Sequence, residues 1–204
     1  GIDRITELTI PEKIGIIEVT GIESFGFNDC ESIKSITIPS FISNIPPFAF
    51  SGCTSLESVM IMEGPDSIGI FAFADCNALR DVRIPNSVQS LSYGAFDGCT
   101  NIEDISLSGD ITEFVFNQDN PALFSPEAVF RLTVNDGSAS FSTQLGEAVK
   151  NNIHTLILPE SVKSISDGAF SGSTSLLSVS FSEGLERIGD EAFMNCREIK
   201  EIVL

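Results

Sequence analysis

Five cysteines and a single histidine are the side chains of this sequence with the greatest potential for chemistry. Thiols can hold a metal or form disulfides, and a histidine can activate a neighbouring nucleophile. Four of the cysteines, however, lie 23 residues apart, at Cys30, Cys53, Cys76 and Cys99. Zinc sites usually contain a closely spaced cysteine pair, whereas one thiol per 23 residues is a packing pattern. We therefore predict small, buried hydrophobic side chains that stay free thiols, since an odd number cannot pair completely.

Other groups offer little support for catalysis. His154 is the only histidine, and the sequence contains no nucleophile elbow, phosphate-binding loop or dinucleotide motif. Paired carboxylates can hydrolyse glycosides, but 29 acidic residues make chance pairs unavoidable. The oxygen-rich segments Asn117–Asn120 and Asn135–Asp136 match no EF-hand loop, and turn chemistry explains both. We predict no enzyme, no catalytic residue, no metal and no cofactor.

The cysteine spacing belongs to a repeat that includes a phenylalanine three positions earlier. The matching residues are Phe27, Phe50, Phe73 and Phe96, and the register returns with Phe170 and Phe193, where Ser173 and Cys196 take the cysteine position. A fixed period of this length is the mark of a repeat architecture. Each unit is too small to bury its apolar side chains alone, so the units must stack.

Each unit also contains an apolar triplet with the spacing L-x-x-L-x-L, as at Ile102, Ile105 and Leu107. The last two residues alternate with polar ones, which predicts a half-buried strand. Eight triplets fit well and Val129/Leu132/Val134 fits less well. Nine parallel strands at about 4.8 Å spacing predict a sheet roughly 40 Å long.

The remaining part of each unit must return the chain to the next strand. Proline follows several strands, for example Pro39 and Pro85, and ends the pairing because it has no N–H. Apolar pairs should line the returning side, namely Val88/Leu91, Val162/Ile165 and Leu185/Ile188. The Ala-Phe turn should then fill the interior from a short helical or 3₁₀ piece. The predicted fold is a right-handed β/α or β/3₁₀ solenoid with a parallel sheet on its concave face.

Two segments interrupt the period. Residues around Ile14–Gly21 add five positions, and the Phe-x-x-Cys signature is missing from 108–152. Regular repeats thus cover 5–107 and 153–204, and because the strand register survives, we predict one domain over 1–204. Within the irregular repeats, Ser142–Asn151 has the pattern of a short helix. A further prediction is that the phenylalanines of this stretch form a local core: Phe114, Phe116, Phe124, Phe130 and Phe141.

The repeat at Pro85–Leu107, with its P-x-S-V, A-F-x-G-C and L-x-x-V-x-I-type elements, resembles the BspA-like class of leucine-rich repeats. The resemblance covers about four-fifths of the chain and is highly specific because the pattern is repeated, with Pro39–Ile61 and Pro159–Phe181 fitting nearly as well. It implies a cell-surface or extracellular bacterial protein that adheres to host matrix proteins, plasma proteins or other bacteria. Pro65 and Ser173 depart from the pattern.

The binding surface predicted from the repeat is the concave face, by which we mean the outward-pointing side chains of the nine strands. They form two columns, because side chains alternate across a strand. Most members are small, and the charged or bulky ones cluster in the middle: Met60, Asp81, Arg83, Asp104 and Arg131. These five residues are the predicted partner-binding site, since repeat proteins often bind on such faces. The alternative is that the charges merely neutralise one another across strands.

The composition limits the classes of partner that this chain can bind. A net charge of −18 disfavours nucleic acid and anionic lipid, which bind through Lys and Arg, and no apolar run is long enough to insert into a membrane. No charged-then-apolar leader follows Gly1, which is compatible with export after removal of a signal peptide. We predict a protein or glycan partner. The alternatives are a structural spacer that projects another domain and, less favoured, a polysaccharide-acting enzyme.

Because Leu204 ends a strand without a polar cap, further repeats or end-to-end self-association are also expected.

Overall fold

The computed structural model is a solenoid in which every coil contributes one strand to a long parallel sheet. It describes residues 5–109, 111, 113–115, 123–138, 140–141 and 149–204. The strands are β1 Glu7–Thr9, β2 Lys13–Ile14, β3 Ile17–Glu18, β4 Ser35–Ile38, β5 Ser58–Ile61, β6 Ser67–Ile68, β7 Asp81–Arg83, β8 Ser90–Ser92, β9 Asp104–Leu107, β10 Glu113–Val115, β11 Phe130–Val134, β12 Ser140–Phe141, β13 Ile153–Ile157, β14 Ser164–Ile165, β15 Ser178–Ser180, β16 Arg187–Ile188 and β17 Glu201–Val203.

The main sheet has nine strands in the order β1-β4-β5-β7-β9-β11-β13-β15-β17, and all its pairs are parallel. This confirms the nine predicted strand positions, including the weak one. For that strand, β11, the prediction of Val129 as the first buried apolar residue is wrong. Val129 is 42% exposed, and the neighbouring Phe130 is fully buried in its place. A register shift between Phe130 and Arg131 accounts for the exchange.

Two further sheets of three short parallel strands line the returning side, β6-β8-β10 and β12-β14-β16. The predicted apolar pairs Val88/Leu91 and Val162/Ile165 are buried there. In the third pair Leu185 is partly buried, but Ile188 is 48% exposed, so that part of the prediction is wrong. The extra residues of the first coil form the antiparallel hairpin β2–β3, which places Ile16 at its exposed tip.

The interior is held by columns of equivalent side chains. Phe27, Phe50, Phe73 and Phe96 stack with ring centroids 5.2–5.4 Å apart and nearly parallel planes. Phe124 continues this column at 5.5 Å, and a second column joins Phe141, Phe170 and Phe193. The predicted alignment of the phenylalanines is confirmed. The local core predicted for the irregular repeats is confirmed for Phe124, Phe130 and Phe141.

The segment around each core phenylalanine consists of successive tight turns in place of the predicted helical or 3₁₀ piece. Backbone amides alternate in their partners: Ala49, Ser51 and Cys53 donate to the carbonyl three residues earlier, whereas Phe50 and Gly52 donate to the next coil. A continuous helix would direct every amide into its own coil. The alternation instead ties adjacent coils together, which explains the difference from the prediction.

These turns require left-handed backbone at fixed positions. Phe25, Phe48 and Phe71 have φ values of 62°, 58° and 52°, which is unusual for bulky residues. Their rings stack on the surface at 4.8 and 5.3 Å, and the Tyr93 ring closes this outer column at 4.9 Å. Gly94 occupies the fourth left-handed position, where a Cβ atom would lie 2.4 Å from the Phe71 ring. The same 23-residue spacing would have revealed this outer column in the sequence.

Two predicted features lie in parts of the chain about which the structure says little. Phe116, Asn117–Asn120 and residues 142–148 of the predicted helix fall outside the described residues, and only the backbone of Phe114 is described. The helix Ser142–Asn151 and the interpretation of Asn117–Asn120 as turns therefore stay predictions.

We expect the inner and outer aromatic columns to contribute unequally to stability. Phe73→Ala removes a fully buried ring that stacks on both sides, and should lower the free energy of unfolding by about 3–5 kcal/mol. Phe25→Ala removes a ring that is 58% exposed and should cost about 1 kcal/mol. Urea unfolding followed by circular dichroism measures both. Equal losses would contradict the stacked interior.

Candidate functional site

The five predicted site residues lie on four strands of the concave face. Met60 is on β5, Asp81 and Arg83 on β7, Asp104 on β9, and Arg131 on β11. Met60, Asp81, Arg83 and Arg131 are exposed and Asp104 is half-buried, because the alternate residues of each strand point into the core. The sheet register aligns Met60 with Arg83, and Asp81 with Asp104 and Arg131. The structure thus brings all five residues together on adjacent strands.

These residues line two adjoining depressions on the concave face. The larger is an open groove of about 520 Å³ whose lining includes Asp81, Arg83, Asp104 and Arg131. A second depression of about 400 Å³ shares Asp81 and Arg83 and extends over Met60. Because Asp81 and Arg83 belong to both depressions, β7 lies at the centre of the site.

The charges of the site are only partly compensated. Arg131 pairs with Asp104 across adjacent strands, with Nη1 and Oδ1 3.3 Å apart. Both side chains are about half exposed, so this pair contributes at most about 1 kcal/mol to stability. Arg83 and Asp81 form no ion pair or side-chain hydrogen bond with any residue in the described part of the chain. The alternative that the charges neutralise one another across strands therefore applies to Arg131 and Asp104. It does not apply to Arg83 and Asp81, which are unpaired.

Sequence reasoning missed the polar residues that surround these charges. Ser106 and Thr133 continue the row of Arg83 in the sheet register, and both line the larger groove. They belong to a column of outward positions, but their small size gave no signal. Hydroxyl groups beside a guanidinium add hydrogen-bonding capacity to the groove.

Asn135 closes one end of the groove. Its amide donates to the Ile84 carbonyl oxygen at 2.7 Å and to Asn86 Oδ1 at 3.1 Å, and the Asn86 amide donates to the Asp136 carbonyl oxygen at 2.9 Å. Gly137 follows with a φ of 95°. The Ser138 amide donates to the Asn135 carbonyl oxygen at 3.4 Å, which closes a turn and confirms the turn interpretation of Asn135–Asp136. The bonds to Ile84 and Asn86 link segments about 50 residues apart in sequence, which no local pattern could have indicated.

The thiols form a separate interior feature away from the concave face. Cys53, Cys76 and Cys99 are buried, and each donates a hydrogen bond to the carbonyl oxygen of the core phenylalanine in the preceding coil. The sulfur–oxygen distances are 3.2, 3.3 and 3.0 Å, and Cys196 repeats the contact with Phe170 at 3.0 Å. All five cysteines are free. The thiols therefore act as packing groups that tie neighbouring coils together.

Thiolate formation is disfavoured at three of the five cysteines. The pKa of Cys76 is raised because its thiol hydrogen-bonds with those of Cys53 and Cys99 and is buried. Burial is also the main cause that raises the pKa of Cys30 and of Cys196. Because the thiolate is the reactive form, Cys30, Cys76 and Cys196 are poor nucleophiles. The pKa of Cys53 is lowered, mainly by its hydrogen bond with Cys76, so burial alone protects that thiol.

We therefore expect a large difference in thiol reactivity between the folded and the unfolded chain. Without any reductant, denatured protein should react with Ellman's reagent at all five cysteines. In the native state Cys53, Cys76 and Cys99 should react at least tenfold more slowly than in the denatured state, because they are buried. Mass spectrometry after timed alkylation assigns each site. A denatured count well below five would indicate disulfides and contradict the packing interpretation.

His154 occupies a half-buried surface position on β13, where its Nδ1 atom lies 2.9 Å from the Thr155 hydroxyl oxygen. Among the described residues, no group of three or more His, Cys, Asp or Glu side chains is placed to hold a metal ion. The described part of the chain also contains no helix with the length and apolar character needed to cross a bilayer.

A parallel sheet built from L-x-x-L-x-L strands, with a variable outward face, defines a leucine-rich-repeat solenoid. The sequence profile of the BspA type leucine rich repeat region matches residues 2–120 and 148–204 in six copies. The chain therefore belongs to the family of proteins with BspA-type leucine-rich repeats, as the sequence resemblance predicted.

Solved structures agree with this fold. The leucine rich repeat protein of T. pallidum is 22% identical, with a TM-score of 0.58, and the match covers 97% of this chain and 79% of that one. A leucine rich cell surface protein of Faecalibacterium prausnitzii is 25% identical, with a TM-score of 0.50. That match covers 97% of this chain but 47% of the F. prausnitzii protein, so this chain spans about half its length. No curated protein matches the sequence significantly.

Proposed function

We propose that this chain is an extracellular or cell-surface binding module that presents its concave face to a protein or glycan partner. The observation that carries the proposal is the groove over β5–β11, in which Arg83 and Asp81 remain exposed and unpaired. A charged side chain without a partner on an open, preformed surface is available to a ligand at no cost in broken ion pairs.

The family relationship supports the cellular location in this proposal. The F. prausnitzii protein is a leucine rich cell surface protein, and its structure matches 97% of this chain at 25% identity. Host matrix and plasma proteins are the partners we propose to test first, together with surface glycans.

We further propose that residues 1–204 work as one domain, with regular repeats at 5–107 and 153–204. The pairing of β9 with β11 and of β11 with β13 supports this, because the sheet passes through the irregular repeats without a break. End-to-end self-association of chains stays a prediction.

The groove predicts which variants lose binding. The 204-residue chain is tested by biolayer interferometry against a panel of matrix proteins, plasma proteins and glycans. Arg83→Glu and Arg131→Glu should each weaken binding to the captured partner about tenfold or more, because loss of a well-placed charge pair costs about 1.4 kcal/mol or more. Circular dichroism should show an unchanged fold, since both side chains are exposed.

The matched control is Lys163→Glu, which makes the same charge change at an exposed position just before β14, on the returning side. It should leave the affinity within twofold of the unmodified chain. If the two concave-face variants bind as tightly as this control, the concave face is not the binding surface. A chain that binds nothing in the panel would instead favour the spacer function.

A further inference from the structure

The unpaired charges of β7 have a defined geometry. Asp81 and Arg83 are two residues apart on one strand, so their side chains leave the same face of the sheet. Two residues of an extended chain span about 6.6 Å. Arg131, two strands away on β11, is already paired with Asp104 at 3.3 Å. The centre of the groove thus presents one free carboxylate and one free guanidinium on backbone positions that the strand holds about 6.6 Å apart.

An extended polypeptide has a matching geometry. Its alternate side chains also share one face and are also separated by about 6.6 Å. A segment lying along β7 with an acidic and a basic side chain two positions apart can therefore satisfy both charges at once. Arginine suits the acidic partner especially well, because its guanidinium can donate two parallel hydrogen bonds to a carboxylate.

The surroundings favour a polypeptide over a glycan. Met60 is aligned with Arg83 on the adjacent strand and is 63% exposed, and its flexible thioether side chain suits an apolar partner side chain. Ser106 and Thr133, on the other side of Arg83, supply hydroxyl groups within the same row. Neither column of the concave face contains an aromatic side chain on which a sugar ring could stack.

The charge of the whole chain also favours a segment of mixed charge. A purely acidic segment would be repelled by a net charge of −18, whereas a segment with one acidic and one basic residue is neutral overall. The net charge of the chain does not repel such a neutral segment. Its pairing with Arg83 and Asp81 therefore meets no long-range electrostatic penalty.

We propose that the concave face recognises an extended polypeptide segment in which an Asp or Glu and a Lys or Arg are two positions apart, with an apolar side chain nearby for Met60. The carboxylate of the segment pairs with Arg83 and its cation with Asp81. This inference rests on the proposed function, and it names the chemistry of the partner at that site.

A random twelve-residue peptide library displayed on phage provides the test. The library is selected on the 204-residue chain, and each enriched peptide is then tested against the Ser106→Tyr variant, in which a bulky side chain fills the groove. Ser164→Tyr is the matched control, because Ser164 is a half-buried serine on the short strand β14 of the returning side. Circular dichroism and urea unfolding check that both variants fold.

Enriched peptides should contain the acidic-x-basic pattern, in either order, at least fivefold more often than the unselected library. They should lose binding to Ser106→Tyr and keep it on Ser164→Tyr. If the serine variants do not fold, Arg83→Glu, with Lys163→Glu as its control, replaces them.

A charge exchange tests the pairing directly. Arg83→Glu should weaken binding of a selected peptide at least tenfold, and replacing the acidic residue of that peptide by Lys should restore the affinity to within threefold. Absence of this rescue overturns the inference, because the two groups are then not coupled.

The remaining outcomes separate the two proposals. Peptides that bind Ser106→Tyr as tightly as the unmodified chain bind elsewhere, and such a result contradicts the proposed function itself. Peptides that need the groove but lack the charge pattern overturn only the present inference. The present inference is also overturned if the chain binds glycans but no peptides, and if Arg83→Glu weakens that glycan binding.

Discussion

The stacking of coils in a constant 23-residue register is the constraint on which the whole structure depends. A regular coil, such as the one from Pro85 to Leu107, contains only a few strand residues and a series of turns, so most of its stabilising contacts come from its neighbours. The carbonyl oxygen of Phe50 shows how closely this is arranged: it accepts the Cys53 amide of its own coil and the Cys76 thiol of the next one. Because each layer uses the same atoms, one change of register would misalign backbone, rings and thiols together.

The same constraint determines where the chain is free to vary. Inward positions are restricted to side chains that stack, such as the core phenylalanines, while outward positions of the sheet contribute little to packing. Left-handed backbone at Phe25, Phe48 and Phe71 is accepted because the turn must be repeated in every layer, and stacking of the three rings partly offsets its cost. The outward positions of the concave face can therefore vary without loss of the fold.

The position of the groove follows from an irregularity in this regular scaffold. Asn135 passes over one coil to bond with Ile84 and Asn86, so the irregular repeats become joined to the regular ones beside β7 and β9. The bulky and charged outward residues occur on these two strands and on their neighbours β5 and β11. In a chain with a net charge of −18, one pair of opposite charges is satisfied here, while Arg83 and Asp81 are left exposed without an ion-pair partner.

The sequence by itself determined the period, the nine strands, the aligned phenylalanines and the outward positions of Met60, Asp81, Arg83, Asp104 and Arg131, because these follow from side-chain spacing along one chain. Only the tertiary structure decided that Phe130 replaces Val129 inside, that tight turns replace a helical piece, and that Arg131 takes Asp104 while Arg83 stays unpaired. Such outcomes depend on distances between atoms of different coils. Spacing along the chain identifies which residues become neighbours, but the competition among those neighbours for one carboxylate or one interior position is settled in three dimensions.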